Sequence, residues 1–117
     1  MSINDSKAQN TEINNVRLAM SSGNSKSLTQ FFDGIVELKT DNEEGSYSRN
    51  QAEFVLRNFF RRNPPEGFEY LHIGSSPGGS RYTIGSYHCS DVTYRVYMKL
   101  KVSGDSYIVD TIEFTKD

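Results

Sequence analysis

The two parts of this 117-residue chain differ in hydrophobic periodicity, and this difference constrains the fold more than any other feature. Before Pro64, apolar residues recur mainly every three or four positions, which is typical of helices. After Pro65, they alternate with polar residues, which is typical of strands. Helices followed by antiparallel strands predict an α+β domain in which three helices pack on a strongly curved antiparallel sheet. The length fits a single domain.

The N-terminal segment contains a polar stretch and then the first helical pattern. Residues 1–11 are small and polar, so we expect a flexible tail that precedes a domain spanning residues 12–117. A helix is predicted from Glu12, with Gly23 as its C-terminal cap. Its apolar positions are Ile13, Val16 and Met20.

A second, short helix and a strand are predicted next. Asn24 and Ser25 are both favoured N-cap residues, and Gly34 is expected to end the helix. Its buried face would consist of Leu28, Phe31 and Phe32. The alternation of residues 35–40 predicts a strand. The apolar face of that strand would consist of Val36 and Leu38.

The third helix has the clearest boundaries. Ser48 and Gln51 have the spacing of a capping box, in which each side chain binds the backbone N–H of the other residue. Pro64 prevents the helix from continuing. Its apolar stripe consists of Ala52, Val55, Leu56, Phe59 and Phe60.

Four antiparallel strands are predicted after Pro65. They span residues 68–73, 81–88, 93–102 and 107–114. In the longest strand, one face is apolar and the other is basic and aromatic, so one side of the sheet should face water. The apolar face would consist of Tyr94, Val96, Met98, Leu100 and Val102. In the last strand, Ile108, Ile112 and Phe114 are expected to point inward, with Asp110 on the same face.

Composition limits the partners and the compartment. A net charge of −2 and a pI near 5.7 argue against nucleic-acid binding, which needs a concentrated positive field. The sequence has no apolar run approaching the roughly 18 residues of a membrane helix, so we expect no membrane partner. Cys89 is the single cysteine, which leaves the redox compartment open. The chain as written predicts a cytoplasmic protein, or an exported one if a leader has been removed.

Several motifs together resemble an uncharacterised family of small domains from Gram-negative bacteria. The motifs are the run from Glu44 to Glu53, Phe59-Phe60 before Pro64-Pro65, the turn from Gly74 to Ser76, Tyr82 to Gly85 and Tyr94 to Tyr97. The resemblance covers Glu12 to Phe114. That family of unknown function is assigned to the nuclear-transport-factor-2-like superfamily, which has a cystatin-like fold. It implies a cone-shaped sheet around the helices, with a pocket at the open end. Many of the family's members carry an export leader.

Relatives in that superfamily include ketosteroid isomerases, dehydratases, polyketide cyclases and non-catalytic binding domains, so fold alone does not choose the activity. Asp110 is the candidate catalytic residue, because a carboxylate on an apolar face is desolvated and prepared for proton transfer. Tyr82 or Tyr94 would stabilise the developing oxyanion. The alternative is that Asp110 lies near the rim and pairs with a lysine or arginine.

Two other motifs receive structural interpretations. His88, Cys89 and Asp91 are too few to form a zinc site, and neighbouring strand residues point to opposite faces, so His88 cannot activate Cys89. The glycine-rich residues 74–79 lead into a strand and lack the ending of a phosphate-binding loop, so a hairpin loop is expected. No metal or cofactor is predicted.

The favoured hypothesis is a non-catalytic binding module with a small-molecule or peptide pocket between the helices and the sheet. The candidate pocket residues are Tyr82, Tyr94, Met98, Asp110 and His72. The alternatives are a cofactor-independent isomerase or lyase and a structural dimerisation domain. A partner surface for a homodimer, formed through the outer sheet face, would consist of Arg81, Arg95 and Tyr97.

Overall fold

The structure is a computed structural model that describes residues 3–117, with side chains described from Thr11 onward. Met1 and Ser2, which begin the expected tail, lie outside the described residues. The helices are α1 (Ile3–Ser22), α2 (Ser25–Thr29) and α3 (Arg49–Arg62). The strands are β1 (Phe32–Lys39), β2 (Glu44–Ser48), β3 (Gly67–Ser75), β4 (Arg81–Cys89), β5 (Val92–Ser103) and β6 (Ser106–Lys116).

All six strands form one sheet in the order β2-β1-β6-β5-β4-β3, with the helices on one side. The predicted α+β class with three helices on a curved sheet is confirmed. Two details were not predicted. The strand β2 carries little apolar alternation, and β1 pairs with β6 in parallel, whereas the other pairs are antiparallel. The parallel pairing joins strands that are distant in sequence, so local patterns carry no signal for it.

The first two helices differ from the prediction at their ends. The helix α1 starts at Ile3 rather than Glu12, so it includes most of the segment expected to be a tail, and the flexibility of that segment stays a prediction. Gly23 follows α1 with a φ of 65°, as a C-terminal cap requires. Asn24 is the N-cap of α2, with its Oδ1 accepting from the Ser27 N–H at 3.0 Å.

The helix α2 ends at Thr29, so the predicted end at Gly34 is wrong. The chain enters the sheet at once, because the Phe31 carbonyl accepts the Val109 N–H at 2.7 Å. Phe32 is buried as predicted, but as part of β1. Val36 and Leu38 are both buried, which confirms the predicted apolar face of β1.

The helix α3 has the predicted capping box. The Ser48 Oγ accepts the Gln51 N–H at 3.2 Å, and the Gln51 Oε1 accepts the Ser48 N–H at 3.0 Å. Its buried residues are Ala52, Leu56, Phe59 and Phe60, whereas Val55 is half-buried. None of the described helices combines the length and the hydropathy needed to cross a bilayer.

A cluster of aromatic rings fills the interior of the cone between α3 and the sheet. Phe59 packs against four other rings, with centroid distances from 4.5 to 5.9 Å. Those rings belong to Phe60, Tyr87, Tyr94 and Phe114. From β5, Tyr94, Val96, Met98 and Leu100 point into this core, and all four are buried. Tyr94 and Met98, two of the side chains expected to line a hollow, are therefore core residues.

Candidate binding groove between the β1–β2 loop and α3

The predicted pocket residues lie on two different faces of the sheet. Tyr94 and Met98 point inward, and each is 1% exposed. Tyr82 pairs with Lys99 in the β4–β5 register, and cross-strand partners share a face, so Tyr82 lies on the outer face. His72 lies there too, with its Nε2 3.1 Å from the Tyr82 Oη. The expectation that Tyr82 and Tyr94 face one cavity is therefore wrong.

The misassignment has a local cause in β3 and β4. The inward positions of β4 are those of Thr83, Gly85 and Tyr87, which are all buried. The ring of Tyr82 lies instead over Gly74, where an added Cβ would come within 2.6 Å of the ring atoms. Periodicity shows that strand residues alternate between the two faces. It does not show which of the two alternating sets in β4 faces the core.

Asp110 lies in an irregularity of β6. The β5–β6 register shifts between Lys99 and Leu100, which leaves Asp110 without a direct cross-strand partner. It is half-buried, and its Oδ1 accepts the Thr111 hydroxyl at 3.0 Å. Asp110 therefore does not occupy the regular inward position that alternation predicts. Ile108, also expected inward, pairs with Lys101 and so lies on the outer side.

The lysine beside the β6 irregularity forms its ion pair with Asp33 rather than with Asp110. The Lys101 Nζ lies 2.6 Å from the Asp33 Oδ2. This hydrogen bond to Asp33, with the charge of Asp110 as a smaller contribution, raises the pKa of Lys101. The same bond lowers the pKa of Asp33. The three residues form a charged cluster at the outer side of the sheet.

The geometry separates Asp110 from Tyr94, one of the two tyrosines considered as the oxyanion donor of an isomerase. Tyr94 pairs with Lys116, whereas the β6 irregularity that contains Asp110 lies beside Leu100. The segment of β5 between Tyr94 and Leu100 spans about 20 Å at about 3.3 Å per residue. Asp110 and the Tyr94 hydroxyl therefore cannot act on one small substrate in this arrangement.

His88 and Cys89 lie on opposite faces of β4, as alternation predicts. Cys89 is buried, and burial raises the pKa of its thiol, with smaller contributions from Glu66 and Asp41. The His88 Nδ1 lies 3.2 Å from the Thr93 Oγ1 on the outer side. Within the described part of the chain, no group of three His, Cys, Asp or Glu side chains is placed to hold a metal ion.

The residues of the predicted partner surface also lie on two different faces of the sheet. Arg95 and Tyr97 pair with Ser86 and Ile84 and lie on the outer face. Arg81 pairs with the buried Leu100, so it belongs to the inner-face register at the open end of the cone. Arg81 therefore does not extend the surface of Arg95 and Tyr97, because it occupies an inward-facing position of β4.

A cavity lined by described residues lies outside the cone, between the β1–β2 loop and the outer face of α3. Its volume is about 500 Å³, and it is open to solvent on one side. We call it the α3 groove. It is lined by Asn42, Glu43, Tyr47, Asn50, Gln51, Phe54, Val55, Asn58 and Arg62.

One wall of the α3 groove is the helix itself. Phe54 is 58% exposed and presents its ring to the groove. Asn50 and Asn58 are four residues before and after it in the sequence, so all three side chains lie along one face of the helix. The Arg57 guanidinium lies 5.5 Å from the Phe54 ring centroid. This wall is attached to a rigid element, because the other side of α3 is core.

The opposite wall is the β1–β2 loop, which is fixed by internal hydrogen bonds. The Thr40 N–H donates to the Glu43 carbonyl at 2.8 Å, and the Thr40 Oγ1 accepts the Glu43 N–H at 3.2 Å. Thr40 itself is buried. The Tyr47 hydroxyl donates to the Glu43 Oε1 at 3.3 Å. These hydrogen bonds hold the loop from within.

Tyr94 connects this loop to the core. Its hydroxyl donates to the Asp41 Oδ2 at 2.5 Å, and the Asn63 Oδ1 lies 3.5 Å away. Burial, and then the hydrogen bond to Asp41, raise the pKa of Tyr94, so the phenol stays a neutral donor. A residue predicted to contact a ligand instead holds the loop that lines the groove.

Sequence reasoning missed the groove because all of its lining residues except Val55 lie outside the predicted apolar stripes. One signal was available. Phe54 is a large ring on the polar side of a helix whose apolar side is already complete, with Asn50 and Asn58 one turn away on either side.

A curved six-stranded sheet with three helices packed on it defines a domain of the nuclear-transport-factor-2-like fold. An NTF-2-like protein of unknown function from Silicibacter pomeroyi DSS-3 is similar, with a TM-score of 0.69, 11% identity, and coverage of 100% of this chain and 99% of that one. The chain belongs to the family described as Domain of unknown function (DUF4783), whose model matches residues 13–115. The predicted membership in an uncharacterised family of this fold is confirmed.

Crystal structures of family members are similar over most of the chain. The protein from Bacteroides fragilis YCH46 has a TM-score of 0.81 and 27% identity, with 88% of this chain and 96% of that chain covered. The protein from Bacteroides ovatus ATCC 8483 has a TM-score of 0.81 and 24% identity, with 88% and 93% covered. A search of the curated proteins gives no match.

Proposed function

We propose that this domain is a non-catalytic binding module whose ligand occupies the α3 groove. The observation that carries this proposal is the exposed ring of Phe54 in a cavity of about 500 Å³. That volume falls within the roughly 300–1,000 Å³ of small-ligand sites. An exposed ring beside polar side chains is typical of such sites, because the ring contributes affinity and the polar groups fix orientation.

The preformed loop supports the same proposal. Ordering a loop upon binding reduces affinity, so a loop that is already held leaves more of the interaction energy for the ligand. Here Thr40 and Tyr94 hold the loop from within and from the core. The hypothesis of a binding module is thus kept, but the pocket is proposed on the outer side of α3 instead of between the helices and the sheet.

The alternatives receive less support. The isomerase alternative needs Asp110 and a tyrosine donor in one cavity. Tyr94 lies about 20 Å along β5 from the strand position beside Asp110. Tyr82 is nearer in the sheet, but it lies on the outer face beside His72. The homodimer through Arg95 and Tyr97 stays a prediction.

The proposal can be tested by NMR with ¹⁵N-labelled protein. Mixtures of small apolar compounds, short peptides and neutral oligosaccharides are added, and amide shifts are mapped onto the structure. We expect at least one mixture to shift the amides of Phe54 and Asn58, with no chemical conversion of the bound compound.

Two variants sharpen this test. Phe54→Ala should abolish the shifts, because it removes the exposed ring of the groove without opening the core. Leu18→Ala is the matched control, because Leu18 is 51% exposed on α1 and lines no part of the α3 groove. If no mixture moves the groove amides, or if the shifts cluster around Arg95 and Tyr97, the proposal is wrong.

A further inference from the structure

We infer that the α3 groove binds a neutral, hydroxyl-rich ligand, with an oligosaccharide as the chemical class. This inference rests on the proposed function, because it names the ligand of the same site. It is carried by three properties of the lining: side-chain amides, exposed aromatic rings and balanced charge.

Side-chain amides are the most frequent groups in the groove. They belong to Asn42, Asn50, Gln51 and Asn58. Each amide carries an acceptor oxygen and a two-donor nitrogen on one planar group. A sugar hydroxyl also donates and accepts, so neighbouring hydroxyls of a pyranose can pair with both ends of one amide.

These amides are available to a ligand. Gln51 uses its Oε1 in the capping box, which leaves its NH₂ group facing the groove lining. The side chains of Asn42, Asn50 and Asn58 make no hydrogen bond to any residue that the structure describes. Their donors and acceptors face water. A ligand that replaces each of these water hydrogen bonds with one of its own would bind with little loss of hydrogen-bond free energy.

The rings supply the apolar part of such a site. A pyranose has polar edges and an apolar face of C–H groups, and that face packs on aromatic rings. Phe54 offers its exposed ring from α3, and the partly exposed ring of Tyr47 lies on the β2 side. Burying apolar surface contributes about 25 cal/mol per Å² removed from water. Rings on two walls suit a ligand that lies along the groove.

The charges of the lining balance. Glu43 and Arg62 are its ionisable carboxylate and guanidinium, so the groove has one charge of each sign. Glu43 already accepts the Tyr47 hydroxyl. A strongly anionic or cationic ligand would meet one unfavourable charge for each favourable one, whereas a neutral ligand needs neither.

The experiment is an NMR titration of the whole chain. The saccharide probes are neutral hexasaccharides of α-linked glucose, β-linked glucose, xylose, mannose and N-acetylglucosamine. Polygalacturonate represents charged polysaccharides, and a mixture of unstructured decapeptides represents peptides. We expect one neutral hexasaccharide to shift the amides of Asn50, Phe54 and Asn58.

Variants and salt then test the mode of binding. Phe54→Ala and Asn58→Ala should each weaken the affinity by at least about fivefold, and Leu18→Ala should leave it unchanged. The affinity should change by less than about twofold between about 50 and about 500 mM NaCl, because no net charge is neutralised.

The outcomes separate this inference from the proposed function. If peptides shift the groove amides and no hexasaccharide does, the groove binds a ligand but the class is wrong. If polygalacturonate binds there and the affinity falls steeply with salt, the neutrality argument is wrong. If no probe moves the groove amides, and the compound mixtures described above do not move them either, both are wrong.

Discussion

The interior of the cone and the α3 groove share one helix but differ in every property that matters for binding. On the inner side of α3, Phe59 is 0% exposed and packed among rings, whereas on the outer side Phe54 is 58% exposed. The inner side stabilises the fold and leaves little room for a ligand. The outer side contributes little to the core and leaves a cavity open. A fold known for an inner pocket can therefore carry its candidate site outside.

The largest expected effect comes from comparing the two phenylalanines. Phe59→Ala should lower the free energy of unfolding by about 3–5 kcal/mol, because it leaves a cavity among four rings. Phe54→Ala should change it by no more than about 0.5 kcal/mol. Urea denaturation measures both, with Phe59→Leu as a milder variant if Phe59→Ala does not fold. Equal losses of unfolding free energy in Phe54→Ala and Phe59→Ala would show that the two sides of α3 contribute equally to stability.

An intermediate effect is expected at the link between the two regions. Tyr94→Phe keeps the ring but removes the hydroxyl that donates to Asp41, so it should cost about 1–2 kcal/mol. Hydrogen exchange should speed up at the amides of Thr40 and Glu43, which close the loop. Tyr97→Phe on the same strand is the control, because its hydroxyl makes no hydrogen bond to a described residue. Unchanged exchange in Tyr94→Phe would show that the core does not hold the loop.

The smallest effect is expected at the outer side of the sheet, where the Asp33–Lys101 pair is partly exposed. The lowered pKa of Asp33 stabilises the fold above its ordinary value of 3.8, and this contribution is lost as pH falls through the lowered value. The raised pKa of Lys101 contributes below 10.5 and is lost as pH rises through the raised value.

The Asp33–Lys101 pair should therefore stabilise the fold between about pH 4 and about pH 10. Lys101→Met should lower the Tm at pH 7 by no more than a few degrees, and the difference from the unmodified protein should shrink at about pH 3. Lys99→Met, also on β5, is the control. A pH-independent difference would mean that Lys101 acts through packing rather than charge.

The sequence predicted the elements whose signals are local. The capping box of Ser48 and Gln51 set the start of α3, and the apolar stripe identified its buried side. Gly23 set the end of α1, and alternation identified four inward residues of β5, but Val102, predicted on the same face, is 51% exposed near the end of the strand. These features depend on neighbours a few residues apart, so the pattern contains them.

The predicted site failed where the answer depended on distant residues. The register shift beside Asp110 depends on the pairing of β6 with β5. The assignment of Tyr82 to the outer face depends on the phase in which β4 meets β5 and β3. Alternation gives two sets of residues, but only the paired neighbours decide which set faces the core.

The sequence by itself determined the class of fold and most of the core, because burial of apolar stripes follows from periodicity. The tertiary structure decided where space remains. Whether rings from α3, β4, β5 and β6 fill the cone depends on how they pack together, and packing is a property of the assembled layers rather than of any segment. The groove exists because the β1–β2 loop and the outer side of α3 meet at a distance that leaves a ligand-sized gap, and that distance is set by the fold.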